Sequence, residues 1–219
     1  MTDYDTLTNA PQQKRSQALT LQILSAAERM MRRQGAEVTI REVALEAGVS
    51  LGGIYARFAD REELLSAVHA RLLQRLERRV IKGVSSPKVE SMSDVLDAFI
   101  RAVETTCRED GHALAVLRTG ANVEAGLQRI ARTEEVLCRA LEEALHKFRE
   151  QIKRPDPEVA IKVVTQIVLG TLARTIAHSG KVGVANWSSF CGEMVAAVDG
   201  YLSSTPPARS SNRRFLNGK

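Results

Sequence analysis

Aromatic residues are scarce in this sequence: Phe, Trp and Tyr make up 4% of 219 residues, with a single Trp. A β-sandwich built on aromatic and β-branched strands is therefore disfavoured. The three cysteines, Cys107, Cys138 and Cys191, are odd in number and far apart. That pattern suits neither a disulfide framework nor a zinc cluster, so they read as small buried apolar residues of a reducing, cytoplasmic setting. Long hydrophobic runs are missing too. The most apolar stretch, residues 163–177, is interrupted by Gln166 and Arg174 and is too short and polar to span a bilayer. Residues 1–9 are acidic and polar, unlike a secretory leader, and no membrane partner is expected. His69, His112, His146 and His178 show no HExxH or HxxxH spacing, and neither a Gly-rich phosphate loop nor GxSxG occurs. Catalysis, metal and cofactor are accordingly not expected.

What is present is an ordinary globular balance, 44% hydrophobic and 26% charged, with a net charge of +5 that is unevenly placed. Residues 11–83 hold 13 Lys and Arg against 8 Asp and Glu, whereas residues 84–204 hold 14 against 16. The last fifteen residues carry four bases and no acid. A basic N-terminal third on a mildly acidic body suits a phosphate-binding head carried on a separate unit.

Almost every segment scans at helical period. Leu19, Ile23, Ala27 and Met30 predict a first helix over residues 17–34, stopped by Gly35. Thr39 with Glu42 forms a capping box for a second helix that Gly48 ends, and Ser50 caps a very short third. Asp60 with Glu63 opens a fourth, on which Leu64, Val68, Leu72, Leu76 and Val80 recur at every fourth position. Further apolar stripes predict a helix over Met92 to Val103, a short segment between Gly111 and Gly120, and a long helix ending before Pro155. Two more follow, one opening at Pro157 and one over residues 187–202. The result is an all-α fold of about nine helices: a three-helix head, a long fourth helix and a helical body. Expected boundaries are a flexible arm over 1–16, a head over 17–83, a body over 84–203 and a disordered basic tail over 204–219.

The second and third helices carry a specific spacing. With Ile40 as position one, Ala44 is the fifth, Gly48 the ninth and Ile54 the fifteenth. A small fifth residue lets two helices cross closely, glycine at the ninth supplies a left-handed turn, and an apolar fifteenth closes the core under the second helix. These are the steric needs of a helix-turn-helix.

The run Thr39-Ile40-Arg41-Glu42-Val43-Ala44-Leu45-Glu46-Ala47-Gly48-Val49-Ser50, followed by Gly52-Gly53-Ile54-Tyr55-Ala56-Arg57-Phe58 and then Asp60-Arg61-Glu62-Glu63-Leu64-Leu65, resembles the DNA-binding head of the tetracycline-repressor (TetR) family. The resemblance covers the first third of the chain. The family usually has Lys where this chain has Leu51, and often Thr where it has Gly53. It implies a ligand-responsive transcriptional regulator, a repressor, that binds a palindromic duplex operator as a homodimer and is released by a small-molecule effector. The alternative is a helical regulator without such a ligand, whose body only dimerises or docks a protein partner.

Expected DNA contacts are Thr39, Arg41, Ser50, Leu51, Gly52, Gly53, Tyr55, Arg57 and Arg61, with Lys14 and Arg15 from the arm. Arg71, Arg75, Arg78 and Arg79 are read instead as solvated or paired with Glu77. The resemblance implies an effector pocket in the body, with apolar walls from Phe99, Val103, Leu117, Leu137, Leu141, Val168 and Leu172 and polar anchors from Asn122, Thr165 and His178. Arg118 and Arg174 would admit an anionic or acyl ligand. The expected dimer interface comprises Leu169, Gly170, Ala173 and Ala177 on one helix and Trp187, Cys191, Met194, Val198 and Leu202 on the next, packed as a four-helix bundle.

Overall fold

A computed structural model describes residues 4–115, 123–177 and 187–205 of the chain. Among these residues there are eight α-helices and no strand. They are α1 (Tyr4–Gln34), α2 (Ile40–Ala47), α3 (Leu51–Tyr55), α4 (Arg61–Val84), α5 (Met92–Ala115), α6 (Val123–His146), α7 (Pro157–Ala177) and α8 (Trp187–Ser203). Two single 3-10 turns, Gly35–Glu37 and Arg149–Gln151, complete the described elements. Among the described residues no helix is long and apolar enough to cross a membrane.

Two boundaries differ from expectation. The first helix begins at Tyr4 and not near residue 17, so Lys14 and Arg15 belong to a helix and not to a flexible arm. Ala10, Gln12, Gln13, Lys14 and Arg15 are strong helix formers, and Pro11 removes one backbone donor without ending the run. The second difference is at Gly111, which was expected to bound a short separate segment but lies inside α5. Asp110, directly before it, and Thr106 and Val103, about one and two turns earlier, are all buried, and their tertiary contacts outweigh the roughly 1 kcal/mol that glycine costs in a helix. Residues 116–122, which held the rest of the expected short segment, lie outside the described residues, as do 206–219 of the expected tail.

Two hydrophobic cores divide the chain. The head core gathers Ile23, Ala27 and Met31 from α1, Val43, Ala44 and Ala47 from α2, Ile54 from α3, and Leu64, Val68 and Leu72 from α4. The body core begins on the same helix at Leu76, Val80 and Val84 and continues through α5, α6, α7 and α8. Helix α4 therefore belongs to both, and the cores change over between Leu73 and Leu76, ahead of the boundary expected at residue 83.

Helix α8 corrects part of the expected dimer interface. Cys191, Met194, Val198 and Leu202 are buried in the chain's own body core, and Trp187 packs half-buried beside Phe190 at 5.8 Å between ring centres. Their stripe has the period of any core-facing helix, and α5 is what it covers. Leu169 is likewise half-buried against that core, while Gly170 is exposed; the side chains of Ala173 and Ala177 lie outside the description.

Candidate nucleic-acid interface

The interface is assembled from the short elements between α1 and α4. The Thr39 hydroxyl accepts a hydrogen bond from the Glu42 backbone N–H at 3.3 Å, and the Glu42 carboxylate accepts one from the Thr39 N–H at 2.9 Å and another from the Thr39 hydroxyl at 2.7 Å. This reciprocal box satisfies the first orphan donors of α2. The two Thr39 donors also hold the Glu42 carboxyl below the usual glutamate range. At the other end Gly48 takes φ 65°, a left-handed angle that L side chains adopt with strain, and its N–H caps α2. The chain thereby reverses in two residues to Ser50, whose hydroxyl accepts the Gly53 N–H at 3.1 Å and starts α3. A Cβ at Gly53 would sit 3.3 Å from that hydroxyl oxygen, so the cap itself favours glycine there.

Polar contacts lock this unit onto α1. The Gln22 amide donates to the Ala47 carbonyl at 2.7 Å, and Arg29 and Arg33 both reach Glu46, at 2.9 and 3.1 Å. Those two guanidiniums hold the Glu46 carboxyl below its ordinary value. On the outer side α3 exposes Leu51, Gly52 and Tyr55, while Ile54 is fully buried beneath them. Lys14, Arg15 and Arg41 are exposed and make no ion pair among the described residues. Arg41, in the first turn of α2, sits where a cation is disfavoured by the helix dipole, so an external anion would stabilise it.

Two expected contacts are otherwise engaged. Arg57 is half-buried and donates to the Gly53 carbonyl at 3.0 Å and the Ser16 hydroxyl at 3.3 Å, tying the end of α3 to α1. Arg61 donates to the Val38 carbonyl at 2.8 Å and pairs with Glu62 at 2.6 Å, which fixes the loop before α2 against the start of α4.

Arg78 is exposed, as expected, and donates to the Gln74 carbonyl at 3.3 Å, whereas Arg71, Arg75 and Arg79 of α4 correct the expectation that they are solvated or paired with Glu77. Glu77 instead accepts from Thr133 at 2.6 Å and Arg129 at 3.3 Å. Arg71 and Arg75 converge on Glu28 of α1, at 3.2 and 2.6 Å, and Glu28 is only 5% exposed. Asp110 of α5 has no exposed surface and meets Arg32 of α1 at 2.6 Å and Arg75 at 3.4 Å. Arg79 completes the line with Thr106 and Glu109, each at 2.8 Å. Sequence reasoning missed this network. Its signal was available: Glu28 lies between Leu24 and Met31 on the apolar stripe of α1, and Asp110 extends the buried stripe of Val103 and Thr106.

Within the body, the expected pocket walls Phe99, Val103, Leu137, Leu141, Val168 and Leu172 come together in one core. Thr165 is buried among them, and its hydroxyl has no hydrogen-bond partner among the described residues; the indole N–H of Trp187 is in the same condition. Arg174 is exposed. Leu117, Arg118, Asn122 and His178 lie outside the described residues. Two surface grooves lie elsewhere. One of about 310 Å³ runs between α4 and α6, past Ile81 and Val136, and one of about 550 Å³ follows Arg78 and Lys82 of α4 to Ser86 in the turn beyond it. Burial pushes the thiol of Cys107 up to about 12 and that of Cys191 to about 11, so both are protonated at neutral pH and poorly nucleophilic.

Comparison with known proteins bears on this geometry. Residues 23–68 match the family described as bacterial regulatory proteins, tetR family. The chain is 41% identical over 83 residues to the HTH-type nicotine-responsive transcriptional repressor HdnoR of Paenarthrobacter nicotinovorans. That alignment covers 36% of this chain and 42% of the relative, so the chain spans less than half of the curated relative it matches. Among solved structures it is similar to the transcriptional regulator FadR of Bacillus subtilis in complex with stearoyl-CoA. The TM-score is 0.62 at 19% identity, covering 83% of this chain and 98% of that one. It is also similar to a bacterial regulatory protein of the tetR family from Rhodococcus RHA1, with TM-score 0.61 and 14% identity over 86% and 98% of the two chains. At these identities the structural likeness shows the fold.

Proposed function

We infer that this chain, which belongs to the TetR family of bacterial regulatory proteins, represses transcription by binding a palindromic duplex operator as a homodimer and lets go when a small molecule enters its body. The observation that carries the reading is the helix-turn-helix itself. A double-capped α2, a left-handed Gly48 and an α3 whose outer face is bare of its own chain form a unit with no internal use for that face. Unpaired Lys14, Arg15 and Arg41 beside it supply charge for phosphates. Binding to duplex DNA should weaken steeply with salt, because each phosphate contact releases condensed counterions. Fluorescence anisotropy on a genomic operator selected from bound fragments measures this; affinity independent of salt would refute it.

Dimerisation fits the outer faces of α7 and α8, since their inner faces are spent within the chain. On α7 the exposed residues Val159, Val163, Ile167 and Gly170 follow helical spacing. On α8 the exposed Gly192, Ala196 and Gly200 offer a flat track, and a Cβ at either glycine would meet nothing within 4 Å. Two copies packed through these faces make a four-helix bundle and place two heads on successive half-sites.

For the effector, the buried and unpaired hydroxyl of Thr165 supports a site among Phe99, Val103, Leu141, Val168 and Leu172. An apolar wall with one placed polar group is the usual composition of a ligand pocket. HdnoR is named as nicotine-responsive and the Bacillus FadR holds stearoyl-CoA, which supports ligand response as the mode of control here. An effector acts only if it prefers the arrangement in which the heads no longer match the half-sites. The test is titration of metabolites into the protein–DNA complex. A compound that binds the body tightly without changing DNA affinity refutes the coupling for that compound.

A further inference from the structure

We propose that α3 reads its operator through the C5-methyl groups of thymine, with Leu51 and Tyr55 as the reading side chains; this rests on the inference that the head binds duplex DNA. The recognition helix is unusual in what it presents. Leu51 is 39% exposed and Tyr55 54% exposed, and Gly52 and Ala56 beside them are exposed as well. Leu51 lies at the first position of the helix and Tyr55 one turn later, so both project from the same side. The Tyr55 hydroxyl is the only polar side-chain group on that helix.

Reading guanine calls for a guanidinium or ammonium against O6 and N7, and reading adenine for an Asn or Gln amide. Neither is present. Between Ser50 and Asp60 the sequence holds no Lys, Asn or Gln, and its single cation is Arg57. That guanidinium is committed inward to the Gly53 carbonyl and the Ser16 hydroxyl. The major groove has one apolar feature a leucine can recognise, the thymine methyl.

The glycines sharpen the argument. The Ser50 cap favours Gly53, because an added Cβ would lie 3.3 Å from the Ser50 oxygen, which would have to give by a few tenths of an ångström. Nothing in the fold requires Gly52, where the same atom would lie 4.0 Å away in ordinary contact. Glycine there leaves the surface beside Leu51 and Tyr55 without a side chain, so base edges can approach until the leucine methyls touch them. The exposed part of each apolar side chain gains nothing in the free protein. Against a methyl group it gains burial on both sides.

The experiment uses the full chain and an operator duplex selected from bound genomic fragments. Each thymine of one half-site is replaced in turn by deoxyuridine, which removes the methyl and leaves base pairing intact. One or two positions per half-site are expected to lose roughly three- to fivefold in affinity, the effect of unburying about one methyl. Leu51→Ala is expected to bring the thymine operator down to the affinity of the uracil operator. Leu51→Met, which keeps apolar reach, retains the difference. All deoxyuridine duplexes binding within about 1.5-fold of the parent would overturn the proposal, as would a Leu51→Ala protein that still discriminates fully. Salt-dependent binding that persists in those cases leaves the regulator reading standing while this one fails; failure to bind any duplex overturns both.

Discussion

Consider the loss of one carboxylate, Asp110→Ala. Asp110 is fully buried on α5 and receives Arg32 from α1 at 2.6 Å and Arg75 from α4 at 3.4 Å. Removing one member of a buried ion pair costs about 3–5 kcal/mol when the partner is stranded in the interior. Here neither partner is stranded fully. The Arg32 and Arg75 side chains are 37% and 26% exposed, and Arg75 keeps Glu28 at 2.6 Å. Partial rehydration and the surviving pair bring the expected cost to roughly 2–3 kcal/mol. For a chain of this size that is about 5–10 °C in melting temperature. Asp110→Asn, which keeps the shape and one acceptor, is expected to cost about half as much. Urea unfolding at neutral pH is the assay, read as a shift in midpoint at constant slope. A double-mutant cycle with Arg32→Met isolates the bond between α1 and α5 and is expected to show coupling above about 0.5 kcal/mol. If Asp110→Ala leaves the midpoint in place, or the cycle closes to zero, the network is a surface decoration and does not hold the head to the body.

Three further outcomes are expected. Gly48→Val places a β-branched side chain at φ 65° and should destabilise the head by about 1–3 kcal/mol, lowering the thermal midpoint, whereas Tyr55→Ala should leave the midpoint unchanged and weaken binding to the selected operator more than to unrelated duplexes. Gly192→Leu has room in the single chain, since an added Cβ meets nothing within 4 Å, yet should block close helix approach; sedimentation should then show a folded monomer, and a dimer of undiminished affinity would place the interface elsewhere. Titration gives two limbs of opposite sign. Glu46 and Glu109 have lowered folded values because arginines pair with them, so their contribution is present above the unfolded glutamate range near 4.5 and is lost as pH falls through the lower folded values. Cys107 and Cys191 are raised by burial, so the unfolded chain releases its thiol protons first and stability should fall as pH climbs past about 9. Chemical denaturation across pH 3–10 checks both, and a thiol reagent that labels Cys107 rapidly in the native state at pH 8 would contradict the second.

The head was legible because its determinants are local. Thr39 and Glu42, Ser50 and Gly53, and Asp60 and Glu63 each lie within one turn, and every one of these caps occurs as read. Spacing also put Ala44, Gly48 and Ile54 in their steric roles. The body was legible only as helices. Periodicity says that Cys191, Met194, Val198 and Leu202 share a face, but not whether that face meets α5 of the same chain or another copy. The choice depends on which helices are neighbours, which no local signal encodes. Arg57 and Arg61 show the same limit for charge: proximity to α3 in sequence suggested phosphate, while the acceptors they found, Ser16 and Val38, come from distant segments. Glu28 and Asp110 were readable as acids on apolar stripes, yet their partners were not.

The passage of α4 from one core to the other has a consequence for engineering. Because Leu64 to Leu73 serve the head and Leu76 to Val84 serve the body, the two units are phased by a single screw axis. One residue inserted between Leu73 and Leu76 would turn the head against the body by about 100° and advance it about 1.5 Å. Placed before Arg75, such an insertion carries Arg71 and Arg75 out of step with each other, so that Glu28 and Asp110 can no longer be met together. A chimera that grafts this head onto a foreign body must therefore splice inside the helix, in whole multiples of its turn, and bring its own acid to receive Arg32.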